Sequence, residues 1–532
     1  MEVDSTKFWA ALPAVMGALI DSRWVAIDVE MTGIATNSGS IPPDSTPQAA
    51  YQSIKEAAEL YQILQIGFTF CKYNNIISEY ETKTIEFPIS PLFPPEEGAR
   101  ELTRTLDRKF TTSVLSYAFL RDHNLSLSKM LDSGVSYLSK DEELDVKRRD
   151  IQRFGNNRID ISRLHGPNMK TYTFYNNIIR HAVESARSRE SICVQVPSPN
   201  ERPLNGYEMK LIYQMLQDDF PFLVARGTAA TGRFNVVWAN PTETVVQFRH
   251  GIRYVFDALT GEEFASKIKQ NWIPAGTHSY RIDGNRSGFG LCPNMGQAQS
   301  FLKARSPIIV GHNLFHDLAF IYRTFFGNLP ETLDEFLATI HELFPRIIDT
   351  KYMSFRGEEH QGQAFRNMSL SQLYLMYEGK QFPFIRSTDG SIEAGRHSHH
   401  AGYDSALTMT VFLKQAVYIQ SVWCQSRWVS ERVYRRRAVA VTSHPRRESI
   451  LDEQEEWEKA SRGGLNRYTP LQPYKAPDLL PRLGPAPQDL RPRRLENYSM
   501  KEATIMPPWG HAFWREFGNK TRIGNVGVME FK

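Results

Sequence analysis

Three blocks of this chain carry residues whose types could hydrolyse a phosphodiester bond. They contain four carboxylates and an imidazole: Asp28 and Glu30 in WVAIDVEMTGI, Asp317 in IVGHNLFHDLAF, and His399 with Asp404 in HSHHAGYDSA. Four ionised carboxylates brought close together repel one another, so such a cluster is tolerated mainly when it binds cations. Oxygen ligands suit Mg²⁺ or Mn²⁺, and two such ions about 3.5 to 4 Å apart can clamp the attacking and leaving oxygens of an in-line displacement. An imidazole with an ordinary pKa of about 6.5 can deprotonate the attacking water near neutral pH.

Short secondary-structure elements must position these residues. The apolar run 24–27 predicts a buried strand that ends at the two carboxylates of the first block, and their spacing of two places both on one face. The run 307–310 predicts a second strand, followed by a helix with Asp317 in its first turns. A third helix is expected after Gly402, with Asp404 near its N-terminus, where the helix dipole favours a negative charge.

Each block also has a simpler interpretation when it is taken alone. An Asp-x-Glu pair after a strand is often a solvated turn, and Asp317 could be an ordinary carboxylate at a helix N-terminus. His399 and His400 could be solvated loop residues or part of a basic cluster with Arg396 and His397. The common order of the blocks, each at the end of a strand or helix, favours one joint site.

The three blocks resemble the exonuclease motifs of the DEDD superfamily. The adjoining sequence is similar to one branch, the poly(A)-specific ribonuclease family of eukaryotic deadenylases and RNA 3′-end trimmers. The similarity covers most of residues 1–420 and includes the segments MEVDSTKFWAALPAVM, YQSIKEAAELYQILQIGFTFCKYN, LNGYEMKLIYQML, FPRIIDTKYM and HHAGYDSALT. The resemblance implies an α/β fold with a mixed sheet of the ribonuclease H-like kind.

The resemblance also implies roles for the motif residues. Four acids match the metal site of the family, which holds two Mg²⁺ ions that Mn²⁺ can replace: Asp28, Glu30, Asp317 and Asp404. Asp28 would bridge both ions, Glu30 and Asp404 would complete one site, and Asp317 would support the other. Asp349, in IIDTKYM, also matches a family position and is interpreted as structural support.

The general base of the family lies five residues before the last Asp, which here is His399. His400 is the rival, because a neighbouring subgroup uses a Tyr four residues before that Asp. The stretch that follows the acidic pair matches the part of the superfamily that cradles the terminal nucleotide: Met31, Thr32, Gly33 and Ile34.

Composition agrees with an intracellular enzyme. The four cysteines, Cys71, Cys193, Cys292 and Cys424, form no C-x-x-C pair, which argues against a zinc site and a disulfide framework. No apolar run reaches the ~18 residues of a membrane span, so we expect neither secretion nor a membrane partner, and a location in the nucleus, the cytoplasm or both. The net charge of +4 is weak evidence for a nucleic-acid partner. The basic segment 147–163 could follow a phosphate backbone or could equally be a solvated charged surface.

The spacing of the motifs predicts an interrupted nuclease. Almost 290 positions separate Glu30 from Asp317, so we expect exonuclease parts at 1–145 and 281–425 and an inserted small α+β domain at 146–280. In the insert, FYNNIIRHAVESAR and GYEMKLIYQMLQDDFP predict helices, and VVW and TVVQF predict strands. The family carries here a nucleic-acid-binding module named for an Arg-x-x-x-His motif, but Arg180 and His181 are adjacent, so that motif is absent from the insert.

The remaining residues, 426–532, form a tail rich in Arg and Pro. Residues 426 to about 500 are expected to be largely disordered or extended, since they cannot bury much apolar surface. The aromatic end, MPPWGHAFWREFGNKTRIGNVGVMEF, is expected to dock onto the folded body.

Together, motifs and resemblance predict a 3′ to 5′ exoribonuclease that shortens RNA tails. Poly(A) is the leading substrate and nucleoside 5′-monophosphates are the products. The alternatives are trimming of small noncoding RNA, a more remote DNA 3′-exonuclease activity, and a catalytically silent RNA-binding scaffold. The family implies a homodimer, and we expect no haem, flavin or nucleotide cofactor.

Overall fold

The structure is a computed structural model of the 532-residue chain. It describes residues 1–35, 45–93, 99–155, 158–186, 192–196, 204–220, 223–228, 233–238, 242–274, 289–290, 294–361, 368–388, 399–441, 506–524 and 526–532. The chain divides into two compact units, one formed by 1–416 with 507–532 and the other by 417–506. All the candidate site residues lie in the first unit.

The strands of the described residues form three sheets. Their bounds are Trp24–Met31 (β1), Ile63–Asn74 (β2), Glu79–Ser90 (β3), Val135–Ser136 (β4), Cys193–Val196 (β5), Leu223–Thr228 (β6), Arg233–Trp238 (β7), Ile308–Gly311 (β8), Ile347–Asp349 (β9), Ile385–Ser387 (β10), Lys520–Ile523 (β11) and Gly527–Glu530 (β12). The main sheet has the order β10-β3-β2-β1-β8-β9, with β4 also paired to β3. In it, β2 is antiparallel to β1 and β3, whereas β1, β8 and β9 run parallel. The prediction of an α/β fold with a mixed, ribonuclease H-like sheet is confirmed.

Seventeen α-helices lie among the described residues. Their bounds are Phe8–Asp21 (α1), Pro47–Leu60 (α2), Ala99–Leu106 (α3), Val114–Asp122 (α4), Leu127–Ser133 (α5), Lys140–Gly155 (α6), Gly166–Ser185 (α7), Gly206–Asp219 (α8), Thr242–Arg249 (α9), Arg253–Thr260 (α10), Met295–Ala304 (α11), Phe315–Ile321 (α12), Leu333–Leu343 (α13), Thr350–Gln361 (α14), Leu370–Glu378 (α15), Ala401–Val441 (α16) and Ala512–Phe517 (α17). Among the described residues, no helix is both long and apolar enough to cross a membrane.

The main hydrophobic core lies against one face of β1 and β2. Ile27 and Val29 of β1 point into it, so the alternation of the strand leaves the side chains of Asp28 and Glu30 on the opposite face. Aromatic contacts extend this core, with Phe256 of α10 stacked on Phe325 at a centroid distance of 4.4 Å. A strand with one face packed in the core therefore carries the first acidic pair.

The inserted segment has a hydrophobic core of its own. Helices α7 and α8 pack with the sheet β5-β7-β6 around Tyr175, Ile212 and Val236. The predicted helices and the VVW strand lie here, but the prediction of a strand at TVVQF is wrong, because those residues belong to α9. Residues from Ile252 onward pack in the main core, although they fall within the predicted insert 146–280. The predicted domain boundaries stay a prediction.

The C-terminal part differs from the expected tail at its start. Helix α16 continues to Val441, so the prediction of disordered or extended chain is wrong over 426–441. The expected disorder of 442–505 lies outside the described residues. The aromatic end is folded, since α17 buries Phe513, Trp514 and Phe517 and the backbone N–H of Asn519 donates to the carbonyl of Ile347.

Gly67 of β2 allows α16 to begin close to the sheet. A Cβ at Gly67 would lie 1.9 Å from the carbonyl oxygen of Ala401. Gly67→Ala is therefore expected to displace the start of α16 and to lower the free energy of unfolding by about 1 to 3 kcal/mol, as overpacking does. Gly379→Ala is the matched control, because Gly379 has a φ of −71° and a Cβ there would meet no atom within 4 Å. Denaturant unfolding measures both variants, and equal stabilities would contradict the close approach.

Candidate active site

Strand β1 places the first acidic pair beside the centre of the main sheet. Asp28 lies opposite Gly67 of β2, and Glu30 lies opposite Gln65. Trp24, four residues before Asp28 on the same face, contacts Phe412 of α16 at a ring-centroid distance of 6.2 Å. Helix α16 therefore covers the face of the sheet on which both carboxylates lie.

Asp317 enters the site from the first turn of α12 and is only 7% exposed. The turn before α12 is fixed by Asp349, whose carboxylate accepts hydrogen bonds from the backbone N–H groups of Asn313 (2.9 Å) and Leu314 (3.3 Å). The hydroxyl of Thr521 also donates to this carboxylate. These contacts agree with the interpretation of Asp349 as structural support, since it holds the turn and Asp317 follows directly.

Asp404 lies in the first turn of α16 and is 9% exposed. Its carboxylate accepts a hydrogen bond of 3.0 Å from the backbone N–H of His399. Two side chains of the sheet bind the start of the helix: Gln65 accepts from the N–H of Ala401, and Glu86 accepts from the N–H of Gly402, each at 2.9 Å. The position of Asp404 therefore depends on β2 and β3 as well as on its own helix.

The four predicted acids act on one another electrostatically. Burial raises the pKa of Asp28 well above its ordinary value, and three neighbouring carboxylates raise it further: Asp404, Asp317 and Glu30. Burial likewise raises the pKa of Glu30, and nearby acids add to the shift: Asp404, Asp317 and Glu86. Burial raises the pKa of Asp404 to about 6. The structure thus brings all four acids together in a place where four negative charges are unfavourable.

This donor set fits divalent cations. Glu30, His399 and Asp404 each offer one ligand atom, and these atoms all lie within 4.8 Å of one another. The carboxylates of Asp28 and Asp317 interact electrostatically with the carboxylates of this group. Because hard oxygen donors suit Mg²⁺ and Mn²⁺, a cation would relieve the repulsion that the pKa shifts express.

The stability of the metal-free protein is expected to fall as the pH rises. The pKa of Asp404 is about 6 in the folded chain, against ~3.9 for an ordinary Asp. Protonation of the Asp404 carboxyl therefore favours the folded state. Its contribution to the free energy of unfolding is complete below about pH 4 and is lost as the pH rises through about 6. Thermal unfolding in EDTA should show Tm falling across that window. Mg²⁺ at 100 times its Kd should raise the free energy of unfolding by about 2.7 kcal/mol. A Tm that changes with neither pH nor Mg²⁺ would contradict a cation site.

His399 faces the acids, whereas His400 is directed elsewhere. The His399 ring packs edge-to-face against His123 at a centroid distance of 4.3 Å and against Phe119 at 4.8 Å. Nε2 of His400 lies 3.2 Å from the carbonyl oxygen of His123. Burial lowers the pKa of His399, and the nearby His123 and His400 lower it further, which favours the neutral imidazole. This arrangement favours His399 over His400 as the general base.

The predicted substrate-binding stretch is a fixed strap with one exposed side chain. The N–H of Thr32 donates to the carbonyl of Gln62 at 2.9 Å, and the hydroxyl of Thr32 accepts from the N–H of Gln62 at 3.0 Å. Met31 packs partly against the main core, and a Cβ on Gly33 would lie 2.7 Å from the ring of Tyr61. Ile34 is 64% exposed, so it is the apolar member of the strap that a ligand can reach.

Sequence reasoning missed four neighbours of the site: Gln65, Glu86, Phe119 and His123. None of them lies in an acidic motif, and Phe119 and His123 come from a helix and its C-cap far from every block. For Gln65 and Glu86, the sequence contains one indication: Gly67 in ILQIGFTF. A glycine inside a strand often marks the close approach of another backbone, here the start of α16.

Glu86 is expected to position Asp404. Glu86→Ala removes the acceptor for the Gly402 N–H. We therefore expect the free energy of unfolding to fall by about 0.5 to 2 kcal/mol, as it does when other helix caps are lost. The affinity for Mg²⁺ should fall as well, because Asp404 lies in the same turn. Glu86→Gln keeps an oxygen acceptor and should recover most of the stability. Thermal unfolding measures the stability and calorimetric titration with Mg²⁺ measures the affinity, and a Glu86→Ala variant that changes neither would contradict the positioning role.

Known proteins resemble this chain over most of its length. It is 24% identical to poly(A)-specific ribonuclease PARN of Xenopus laevis over 440 residues, which cover 79% of this chain and 63% of that protein. It is 25% identical to poly(A)-specific ribonuclease PNLDC1 of Homo sapiens over 414 residues, covering 75% of this chain and 69% of that protein. The solved structure of S. pombe Pop2p, in a Mg²⁺- and Mn²⁺-bound form, matches with 11% identity and a TM-score of 0.33, covering 77% of this chain and 89% of that one.

The sequence similarity to PARN and PNLDC1 confirms the resemblance to poly(A)-specific ribonucleases. The chain spans 60% to 63% of the length of the PARN relatives from Xenopus laevis, Danio rerio and Bos taurus. Residues 3–412 match the family described as CAF1 family ribonuclease, which is more than half of the chain. The chain therefore belongs to the CAF1 family of ribonucleases.

Proposed function

We propose that this chain is a metal-dependent 3′ to 5′ exoribonuclease that shortens RNA tails, with poly(A) as the leading substrate. One observation carries the proposal: four carboxylates from three separate elements meet, and burial together with their mutual repulsion raises the pKa of Asp28 well above its ordinary value. Such a cluster is costly for stability alone, and it matches the ligands of divalent cations in nucleases.

Four residues would hold the cations: Asp28, Glu30, Asp317 and Asp404. Bound Mg²⁺ or Mn²⁺ would supply a nucleophilic water and would neutralise the charge that develops on the phosphoryl oxygens. The protein keeps these acids in place through β1, through the Asp349-fixed turn before α12 and through the start of α16.

His399 would take the proton from the attacking water. Its neutral form is favoured by burial and by neighbouring imidazoles, so a free ring nitrogen is available near neutral pH. Contacts with Phe119 and His123 limit the rotation of its ring. His400 remains the alternative, but its Nε2 lies at hydrogen-bonding distance from the carbonyl oxygen of His123.

The strap 31–34 would hold the terminal nucleotide beside the acids. Its backbone is tied to Gln62, and Ile34 offers an exposed apolar surface on which a sugar or base can pack. Poly(A) is proposed as the substrate because the matched relatives are named poly(A)-specific ribonucleases. Release of nucleoside 5′-monophosphates, a homodimer and a nuclear or cytoplasmic location remain predictions.

The basic segment 147–163 is not expected to be the main RNA contact. Several of its cations are engaged by acids: Lys147 with Glu143 at 2.7 Å, Arg148 with Asp145 at 3.2 Å, Arg163 with Asp160 at 3.0 Å, and Arg158 with Asp218. A phosphate backbone would have to compete with these partners. The interpretation as a solvated charged surface is therefore favoured.

A comparison of four substrates tests the proposal. The purified chain is incubated with Mg²⁺ and 5′-labelled oligo(A), oligo(U), oligo(C) and a DNA oligomer. We expect stepwise shortening from the 3′ end that is fastest on oligo(A) and is abolished by EDTA. Equal rates on all four would contradict the poly(A) assignment and leave the nuclease, whereas RNA binding without hydrolysis would favour the scaffold. Faster trimming of short structured RNAs with brief A tails than of oligo(A) would favour the trimming alternative.

A further inference from the structure

A cavity lies at the end of the main sheet opposite the acidic cluster. Its volume is about 210 Å³. Ser306, Trp509 and three arginines contribute to its lining, and the arginines are Arg23, Arg305 and Arg346. Arg23 is five residues before Asp28 on a strand that rises ~3.3 Å per residue, which separates the cavity from the acids by ~17 Å. The cavity is therefore distinct from the candidate active site.

The parallel strands bring the arginines together. Arg23 immediately precedes β1 and Arg346 immediately precedes β9, while Arg305 follows α11 and leads into β8. Backbone hydrogen bonds of 2.9 Å join the N–H of Ile308 to the carbonyl of Arg23 and the N–H of Ile309 to the carbonyl of Arg346. Since these three strands start at the same edge, their flanking side chains converge there.

The positive charges at this edge have no acidic partner within the described part of the chain. The Arg23 guanidinium donates to the carbonyl of Pro507 at 3.0 Å, and the Arg346 guanidinium donates to the carbonyl of Ser306. Neither these two nor Arg305 forms an ion pair with a carboxylate of the described residues. Burial lowers the pKa of Arg23, Tyr80 raises it, and the charges of Arg305 and Arg346 lower it further, so that the pKa stays below its ordinary value. An anion in the cavity would relieve this repulsion.

The wall of the cavity is also fixed in place. The Trp509 indole stacks on Trp514 at a centroid distance of 5.8 Å, and a Cβ on Gly518 would lie 2.7 Å from the Trp509 ring. The guanidinium groups of Arg23 and Arg346 are oriented by their hydrogen bonds to backbone carbonyls. A preorganised set of donors loses little side-chain entropy when it binds a ligand.

We propose that this cavity binds a phosphate dianion, either inorganic phosphate or the terminal phosphate of a nucleoside 5′-monophosphate. The planar guanidinium fork matches phosphate oxygens, and a dianion fits a site with three positive charges better than a singly charged phosphodiester does. The cavity is smaller than the ~300 to 1,000 Å³ of pockets that enclose drug-sized ligands, which favours a small anionic group. This site is independent of the proposed nuclease activity.

Ligand-dependent thermal unfolding and calorimetric titration of the full chain test the proposal, with no divalent metal added. The probes are inorganic phosphate, 5′-AMP, adenosine, and oligo(A) that ends in a 5′-hydroxyl. Phosphate and 5′-AMP should raise Tm and bind saturably, whereas adenosine should do neither. Arg305→Gln and Arg346→Gln should each weaken phosphate binding at least about tenfold, because each removes a charge-assisted pair of hydrogen bonds. Arg163→Gln, at an exposed arginine outside the cavity, is the matched control and should bind phosphate as the wild type does.

The Tm without ligand separates binding from folding. Arg305→Gln should keep or raise the Tm of the ligand-free protein, because it removes one of three repelling charges, and should lose the increase that phosphate causes. Absence of saturable phosphate binding, or an equal loss in Arg163→Gln, would overturn the proposal. Binding of the 5′-hydroxyl oligo(A) as tightly as 5′-AMP, through the same arginines, would identify RNA backbone as the occupant and overturn the assignment to a phosphate dianion.

Discussion

Asp28→Asn is expected to lower kcat/KM for RNA hydrolysis by at least the ~10²- to 10³-fold lost when a single electrostatic stabiliser is removed. Asp28 lies between three other acids, all of which raise its pKa, so it is the member of the cluster best placed to share a cation with each of them. Asparagine keeps the shape of the side chain and removes its charge. The initial rate of 3′ shortening of 5′-labelled oligo(A) with Mg²⁺ measures the effect.

The stability of the same variant serves as the control. Because a buried carboxylate is costly when it is ionised, the metal-free Asp28→Asn protein should unfold at a Tm equal to or above that of the wild type. A variant that is folded and inactive supports the catalytic assignment. A variant that is folded and hydrolyses oligo(A) at the wild-type rate would remove Asp28 from the site.

His399→Asn is expected to reduce kcat by about 10²- to 10⁴-fold, the range typical of a lost general base. Asparagine is chosen because His399 has a φ of +70°, a left-handed conformation that Asn adopts more readily than Ala. The backbone N–H that binds the Asp404 carboxylate is retained in this variant. The loss should therefore appear in kcat, with little change in Tm.

His400→Ala is the matched comparison for the base. The His400 ring lies near the carbonyl of His123 rather than among the acids, so its removal should change kcat only severalfold. Single-turnover rates of both variants at saturating oligo(A) distinguish the two rings. A severe loss in His400→Ala with a mild one in His399→Asn would transfer the role to His400.

Local patterns predict the elements that carry the acids. The apolar run before Asp28 forms β1, Asp317 lies in the first turn of α12, and Asp404 lies in the first turn of α16. Side chains alternate between the two faces along a strand, and acidic residues are favoured at helix N-termini. Both features can be recognised from neighbouring residues in the sequence. The meeting of the three elements depends instead on the parallel pairing of β1 with β8 and on the packing of α16 over β2, which no local pattern contains.

Tertiary packing explains the wrong strand prediction at TVVQF. Adjacent β-branched residues favour a strand, but Val246 of α9 is buried in a cluster with Leu138 and Val146, and this burial outweighs the local preference. Helix α16 extends past residue 426 for a local reason. The stretch 426–441 contains no Pro or Gly and includes Arg and Ala, which favour helices, whereas composition averaged over the whole tail hides this.

Glu86 and His123 show which site residues cannot be found by motif. Glu86 belongs to a strand whose alternating polar residues predict a solvated face, but Glu86 is buried and its carboxylate accepts from the start of α16. His123 follows α4 and reaches His399 through the packing of distant segments. Both contacts join residues more than 270 positions apart, so they arise from tertiary structure alone.

Anomalous diffraction from crystals of the wild type and of Asp28→Asn, both soaked in Mn²⁺, tests the central claim most directly. We expect two Mn²⁺ peaks in the wild type, bound by the carboxylates of Asp28, Glu30, Asp317 and Asp404, and the loss of at least one peak in the variant. Absence of Mn²⁺ among these four carboxylates in the wild type, or unchanged peaks in Asp28→Asn, would contradict the two-metal nuclease site.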